Sequence, residues 1–234
     1  MFLSIIIPTY NEEKNISVLI KHLQGTSISS QCEIIVSDGG STDKTAEVAA
    51  KLGVKVLISD KKGRSGQMNF GAKQASGNIL FFVHADCLPT SYFFYLINKS
   101  IEKGFDSGSF RTKFNSRSFL LRINSFFTRF NFLFFRGGDQ GIFVTKKLWV
   151  EIGGYNDTML IMEDYDFIEK LWKLGNFKLI PASTLVSARK FENNSWLKVQ
   201  LANHKIIKMY KNKAPQGEMI ATYGRMLNHL KNAF

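Results

Sequence analysis

Short apolar runs and helix-spaced stripes alternate along the first third of the chain. Residues 2–7, Phe-Leu-Ser-Ile-Ile-Ile, form a run stopped by Pro8, which predicts a buried first strand. Ile16, Leu19, Ile20 and Leu23 then recur on one helical face, with Asn11 as the expected cap and Glu12 and Glu13 at the positive end. A second strand is expected over 33–37. A helix opened by Ser41 or Thr42 should run through Ala46, Ala49, Ala50 and Leu52 to Gly53. A third strand is expected over 54–58. After the basic loop Lys61-Lys62-Gly63-Arg64-Ser65-Gly66 comes a helix through Met68, Ala72 and Ala75, ended by Gly77, and then a fourth strand over 79–83. This alternation predicts an α/β fold with a mainly parallel sheet and helices on both faces.

The second half is less regular. The pattern predicts a helix over 89–104, an edge or antiparallel strand over 106–114, and an amphipathic helix over 118–135. A strand over 140–145 and a helix over 163–174 follow, and the chain reads as helical and basic from 193 onward. The expected organisation is one domain over 1–190 and a helical, basic C-terminal extension over 191–234. The domain divides into a half over 1–88 and a half over 89–190.

Composition narrows the classes. Of the 234 residues, 44% are hydrophobic and 21% charged, enough apolar material for a sizeable core. The net charge of +12 points to an anionic partner: nucleic acid, an acidic membrane surface or a phosphorylated small molecule, with a solvated basic face as the plain alternative. Cys32 and Cys87 make no metal-binding spacing, and their usage fits a reducing compartment. The start of the chain has no basic n-region, so no signal peptide is expected. No stretch is long and apolar enough to span a bilayer. The expected location is cytoplasmic, with peripheral contact at the inner face of a membrane as a further option.

Candidate chemistry sits at the strand ends. Asp38 leaves the second strand and Asp86 the fourth, where open α/β sheets place their ligands. Asp38 could accept hydrogen bonds from a base or a ribose. Asp86 could hold Mg²⁺ or Mn²⁺ together with diphosphate oxygens. Lys61 and Arg64 could close over phosphates by charge. Asp43, at a helix start, reads as a cap.

The motifs together resemble family 2 glycosyltransferases. They are Ile5-Ile6-Ile7-Pro8-Thr9-Tyr10-Asn11-Glu12, Ile35-Val36-Ser37-Asp38-Gly39-Gly40-Ser41-Thr42-Asp43, the stretch 64–72, Phe82-Val83-His84-Ala85-Asp86, Gly137-Gly138-Asp139-Gln140-Gly141-Ile142-Phe143 and Met162-Glu163-Asp164-Tyr165-Asp166-Phe167. Their order, over about 2–190, is more specific than any one of them. The resemblance implies a GT-A fold, a nucleotide-sugar donor, a divalent metal (Mn²⁺ or Mg²⁺) and inversion at the anomeric carbon. It implies that Pro8, Thr9, Tyr10 and Glu12 line the nucleotide pocket with Arg64, Gln67 and Asn69, and that Asp38 contacts the base. His84, Ala85 and Asp86 fall on the family's DxD motif, so Asp86 and His84 are the expected metal ligands. Asp164 is the expected general base, with Glu163 a close alternative. Gly138, Asp139 and Gln140 are expected on the acceptor side. Arg189, followed by Lys190 and Phe191, resembles a segment that covers the leaving diphosphate. His84 departs from the family's aspartate; imidazole suits Mn²⁺ better than Mg²⁺. UDP is the default nucleotide, with GDP open.

Other readings are weaker. No GxGxxG follows the first strand, against a dinucleotide dehydrogenase. No glycine-rich phosphate loop stands there either, against a nucleotidylyltransferase. A non-catalytic, basic binding protein for nucleic acid or a membrane surface remains the alternative; nucleic acid is not the expected partner. A sugar, a small molecule or a lipid-linked molecule is the expected acceptor. Phe119, Ile123, Phe126, Phe127, Phe130 and Phe134 share helical spacing, and Arg122, Arg129 and Arg136 recur every seven residues. That segment, 118–136, reads either as a helix packed on the sheet with its arginines at the cleft or in water, or, with the Lys-rich tail, as a membrane-surface element. A homodimer interface is a third reading.

Overall fold

A computed structural model describes residues 1–26, 31–61 and 63–228. Lys62 of the basic loop and the last six residues of the C-terminal extension lie outside the described residues. An eight-stranded sheet in the order β3-β2-β1-β4-β7-β6-β8-β5 forms the centre. Strands β1 (Leu3–Thr9), β2 (Cys32–Asp38), β3 (Lys55–Ile58) and β4 (Ile79–Phe82) are parallel. β7 (Ile142–Thr145) runs antiparallel to β4, and β6 (Ser107–Phe114) antiparallel to β7. β5 is the short pair Cys87–Leu88, antiparallel to β8 (Phe177–Val186).

β1 and β4 carry unbroken apolar runs, Ile5-Ile6-Ile7 and Ile79-Leu80-Phe81-Phe82, because both faces of the sheet are covered there. Leu3, Ile5 and Ile7 face one core, packed by Ile16, Leu19, Ile20 and Leu23 of α1 (Glu13–Gln24) and by Phe93 and Ile97 of α4 (Phe93–Glu102). Ile6 faces the other, packed by Met68 and Ala72 of α3 (Arg64–Lys73) and by Phe167, Ile168 and Leu171 of α7 (Glu163–Leu174). A Cβ on Gly71 of α3 would come within 2.7 Å of Ile6 Cγ2, so this helix sits unusually close to the sheet.

Several elements differ from the sequence pattern. Asn11 does not cap α1. It takes a left-handed conformation (φ 55°), and its Oδ1 accepts from Thr42 N at 2.8 Å, joining the loops after β1 and β2. The second helix, α2 (Thr45–Lys51), begins after Ser41 and Thr42; Lys44 holds the cap position, and Asp43, one residue earlier, accepts from Thr45 N through Oδ1 at 3.0 Å. β6 is antiparallel to β7, as one of the two expected readings has it, but lies inside the sheet and not at its edge. Its neighbour β8, which the pattern does not predict, carries Pro181 where the β6–β8 register shifts between Ser109 and Arg111, and a bulge is one of the few places a sheet tolerates proline.

The long helix over 118–135 is not formed. α5 ends at Phe127 (Phe119–Phe127), and a single turn over Leu133–Phe135 follows. The cause is Arg136. Its buried guanidinium donates to the carbonyls of Thr128 and Phe130, groups that a continuing helix would need for itself. The arginines at 122, 129 and 136 therefore do not form a stripe on one helix.

α6 (Lys146–Glu151) follows β7. After β8, α8 (Trp196–Lys211) and α9 (Gln216–Met226) build a third apolar cluster around Ile161, Val199, Ile206, Met219 and Tyr223. Gln216 Oε1 accepts from Leu160 N and Ile161 N at 2.9 and 3.0 Å, so these helices brace the segment just before Glu163.

Candidate active site

The loops after β1 and β2 form one hydrogen-bonded unit. Thr9, at the end of β1, donates to Asp38 Oδ1 at 2.9 Å. Gly40 N and Ser41 N donate to Asp38 Oδ2 at 3.0 and 2.8 Å, and Ser41 Oγ donates to Oδ1 at 2.5 Å. Asp38 is thus buried with both oxygens engaged. Pro8 and Thr9 are buried beside it, while Tyr10 is exposed.

Beyond β4, Val83 is buried, His84 is partly exposed, Ala85 is buried and Asp86 is partly exposed. Burial, aided by the nearby Arg64 cation, pushes the His84 imidazole down to about 4, so the ring is neutral. Its Nε2 is buried with no hydrogen-bond partner among the described residues. A neutral ring nitrogen beside a carboxylate is a donor pair suited to a divalent cation, Mn²⁺ above Mg²⁺. No group of three or more metal-ligating side chains occurs among the described residues, so diphosphate oxygens and water would have to complete such a shell.

Arg189 reaches this corner from the turn after β8. Its Nη2 donates to Glu12 Oε1 at 3.0 Å and to Asp86 Oδ2 at 3.3 Å. The hydrogen bond to Glu12, acting against partial burial, holds its pKa above the usual value. Arg189 therefore lies on the side of Glu12 and Asp86, rather than among the residues expected near an acceptor. Lys190 turns away and donates to Asn203 Oδ1 at 3.3 Å and to Tyr223 Oη, tying α8 to α9.

The second acidic corner opens α7. Met162, immediately before it, is left-handed (φ 66°), a costly conformation for a non-glycine residue. This turn delivers Glu163 and Asp164 into the first turn of the helix. Phe167 then anchors α7, stacked on Tyr155 at 3.8 Å between centroids and edge-on to Phe82 at 5.9 Å. The acid pair is thereby fixed against the end of β4.

Burial raises the pKa of both carboxyls against the pull of Arg64, which sits 2.7 Å from Glu163 Oε1. Two buried acids facing one guanidinium remain under-compensated. Arg64 also feels Asp164 and Asp86, so a single cation links the two acidic corners. A residue expected on phosphates is thus drawn onto an acid.

The turn over Gly138–Gln140 closes the far side. Gly138 lies against Asp164: a Cβ there would overlap both carboxylate oxygens. Burial, with repulsion from Asp164 and Asp86, pushes Asp139 up to about 6. Gln140, expected to offer hydrogen bonds to a sugar, is instead buried; its amide donates to Phe135 O at 2.7 Å. Asn69 likewise is committed within the protein: it donates to Tyr155 O at 2.8 Å and accepts from Tyr155 N at 2.9 Å, fixing the turn before α7. Gln67 is buried with its amide against Gly39. The sequence offered no sign of the left-handed Met162. The buried Arg136 was legible only as one member of a seven-residue repeat.

The Glycosyl transferase family 2 model matches residues 4–152, well over half of the chain. The chain belongs to that family. Among similar proteins, the dolichol-phosphate mannosyltransferase of Pyrococcus furiosus is 37% identical over 91 residues, 37% of this chain and 26% of that protein. In the curated relatives this family 2 chain matches, the aligned stretch is about a third of their length or less. Two solved structures share its GT-A fold. S. aureus TarS in complex with UDP-GlcNAc gives a TM-score of 0.66 at 22% identity, over 81% of this chain and 59% of that one. The mannosyltransferase PcManGT from Pyrobaculum calidifontis, with GDP-Man and Mn²⁺, gives 0.68 at 16%, over 96% and 69%.

Proposed function

We propose that the protein is an inverting glycosyltransferase that moves a sugar from a nucleoside-diphosphate sugar, with UDP the favoured nucleotide, to an acceptor hydroxyl in one displacement. The observation that carries this reading is the pairing of two acidic corners across Arg64: Asp86 with the neutral His84 on one side, Asp164 with Glu163 on the other. Displacement at an anomeric carbon needs a neutralised leaving diphosphate and an acceptor that loses its proton. One acidic corner suits each need. Family membership and the two ligand-bearing structures support the donor class.

Asp86 and His84 would hold the divalent cation, which would supply charge neutralisation for the leaving diphosphate. Arg189, already on Glu12 and Asp86, would exchange these acids for diphosphate oxygens when a donor enters, because a guanidinium binds either partner in the same forked geometry. Asp38 would take the base after its loop contacts loosen. Asp164 would accept the proton of the acceptor hydroxyl. Its raised pKa brings it nearer to working pH, as a general base requires. Asp139, held at about 6, would hydrogen-bond the acceptor from the opposite side.

Calorimetric titration with UDP, GDP, CDP and dTDP, each with and without Mn²⁺, tests this reading. One nucleotide should bind selectively and more tightly with metal. Failure of all four to bind would reject it.

A further inference from the structure

We infer that the aromatic–arginine surface formed by α5 and the turns after it is a docking surface for an anionic lipid bilayer. The segment packs on β6 of the sheet, with Thr128 Oγ1 accepting from Thr112 N at 3.1 Å, as one of the expected readings has it, but that contact leaves most of its aromatic rings uncovered. Leu121 is the buried residue of α5, while Phe119 is 70% exposed and Phe132 64%. Phe126, Phe127, Phe130 and Phe134 are exposed as well, and ring contacts running from Phe126 and Phe130 through Phe127 and Phe135 to Phe132 and Phe134 make them one contiguous apolar patch, the kind of surface that marks an interaction site.

The patch is built to stay open. Arg136 holds the carbonyls of Thr128 and Phe130 and donates to Ser109 Oγ at 3.3 Å. Phe127 stacks on Phe135 with centroids 5.4 Å apart. Tyr165 donates to Phe134 O at 3.2 Å, and Trp196 to Asn124 Oδ1 at 3.2 Å. These bonds present the rings outward on a fixed backbone. Trp196 also brings in α8, where Leu197 and Leu201, four residues apart and so on one helical face, are exposed.

Charge selects the occupant. From 107 to 138 the chain contains no Asp or Glu, but it contains Arg111, Lys113, Arg117, Arg122, Arg129 and Arg136. Arg117, Arg122 and Arg129 are exposed among the rings, and Arg129 lies over the Phe126 ring at 3.8 Å. A second copy of this face would set arginine against arginine. An anionic bilayer instead accepts the rings at its interface and the guanidinium groups at its headgroups. Phe119, Arg122, Ile123 and Phe126 line an open surface hollow of about 270 Å³ that would take part of a lipid chain. Only five residues separate Phe132 from Gly138, which lies against Asp164. On the glycosyl-transfer reading, a hydroxyl carried at the membrane surface would therefore arrive beside the expected base; docking itself does not depend on that reading.

Co-sedimentation of the full chain with vesicles tests the inference, using phosphatidylcholine alone and phosphatidylcholine with phosphatidylglycerol, at low and high salt. Binding is expected to the phosphatidylglycerol vesicles and to weaken with salt. Phe119→Ser/Phe132→Ser and Arg122→Glu/Arg129→Glu should each reduce it by about tenfold or more. Both pairs are at the surface, and an unchanged melting temperature and nucleotide titration would show that the variants are folded. Absence of vesicle binding by the native chain, or equal binding by the variants, would overturn the inference. So would a native dimer that the phenylalanine pair dissociates, or release from vesicles by a single-stranded polynucleotide at equal charge more effectively than by salt.

Discussion

Gly138 lies flush against the carboxylate of Asp164, leaving no room for even one methyl group. A turn and a helix 26 positions apart in sequence are thereby locked together where a reacting hydroxyl would lie. Gly138→Ala should displace Asp164 and lower turnover by about 100-fold while leaving nucleotide affinity close to native, since small misplacements at a reacting centre cost this much. Single-turnover rates and UDP calorimetry on the same variant separate the two effects.

Asp164→Asn should lower the rate by about 10²–10⁴. Because burial raises the pKa of Asp164, kcat/KM of the native protein should climb with pH along a limb above the ordinary carboxylate range, and the variant should lose that limb. Stability gives an independent sign. A carboxyl whose folded pKa exceeds its unfolded value favours folding at low pH, and this contribution is lost as pH rises through the folded pKa. Asp164→Asn should therefore raise the melting temperature at neutral pH, and the difference should vanish in acid.

Arg189→Ala should weaken UDP binding in Mn²⁺ by about tenfold, the size of one lost charge-assisted contact. Its side chain is 55% exposed, so the ion pairs to Glu12 and Asp86 contribute about 0–1 kcal/mol and the melting temperature should barely move. A large fall in melting temperature with unchanged UDP affinity would show Arg189 to be a structural clamp instead.

His84→Ala should abolish a preference for Mn²⁺ over Mg²⁺, since the neutral ring nitrogen is the donor that distinguishes the two ions. Nucleotide titrations in each metal measure the ratio. An unchanged ratio would place the imidazole outside the metal shell.

Arg136→Ala should be the most destabilising change outside the core. It strips the buried carbonyl of Thr128 of its donor, at about 1–3 kcal/mol for a buried group left unsatisfied, and removes a second, part-buried bond to Phe130 O. Chemical denaturation should show the loss, and vesicle binding should fall with it as the aromatic turns come apart.

The four parallel strands were legible because each is a short run rich in apolar residues, bounded by turn residues, and α1 because its apolar residues recur with a period of 3.6. Glu163–Leu174 was legible for the same reason. The same local logic failed over 118–135. Helical spacing there is good, yet the backbone breaks because Arg136, beyond the end of the stripe, takes the carbonyls. β8 was hidden by Pro181, which only a register shift against β6 accommodates. Gln140 and Asn69 looked like ligand contacts because a polar amide in a motif does not reveal its partner; each is bonded within the protein.

The sequence by itself determined the first four strands with the helices between them, the family, and which acids stand in its motifs, since these depend on residue type and spacing along the chain. Tertiary structure alone decided which of those acids share a cation, which amides are free and which aromatic rings face outward. Arg64 meets Glu163, and Arg189 meets Glu12, across 99 and 177 positions of sequence. Contacts of that span exist only once the sheet is assembled, because burial and long-range packing fix them rather than any local preference of the chain.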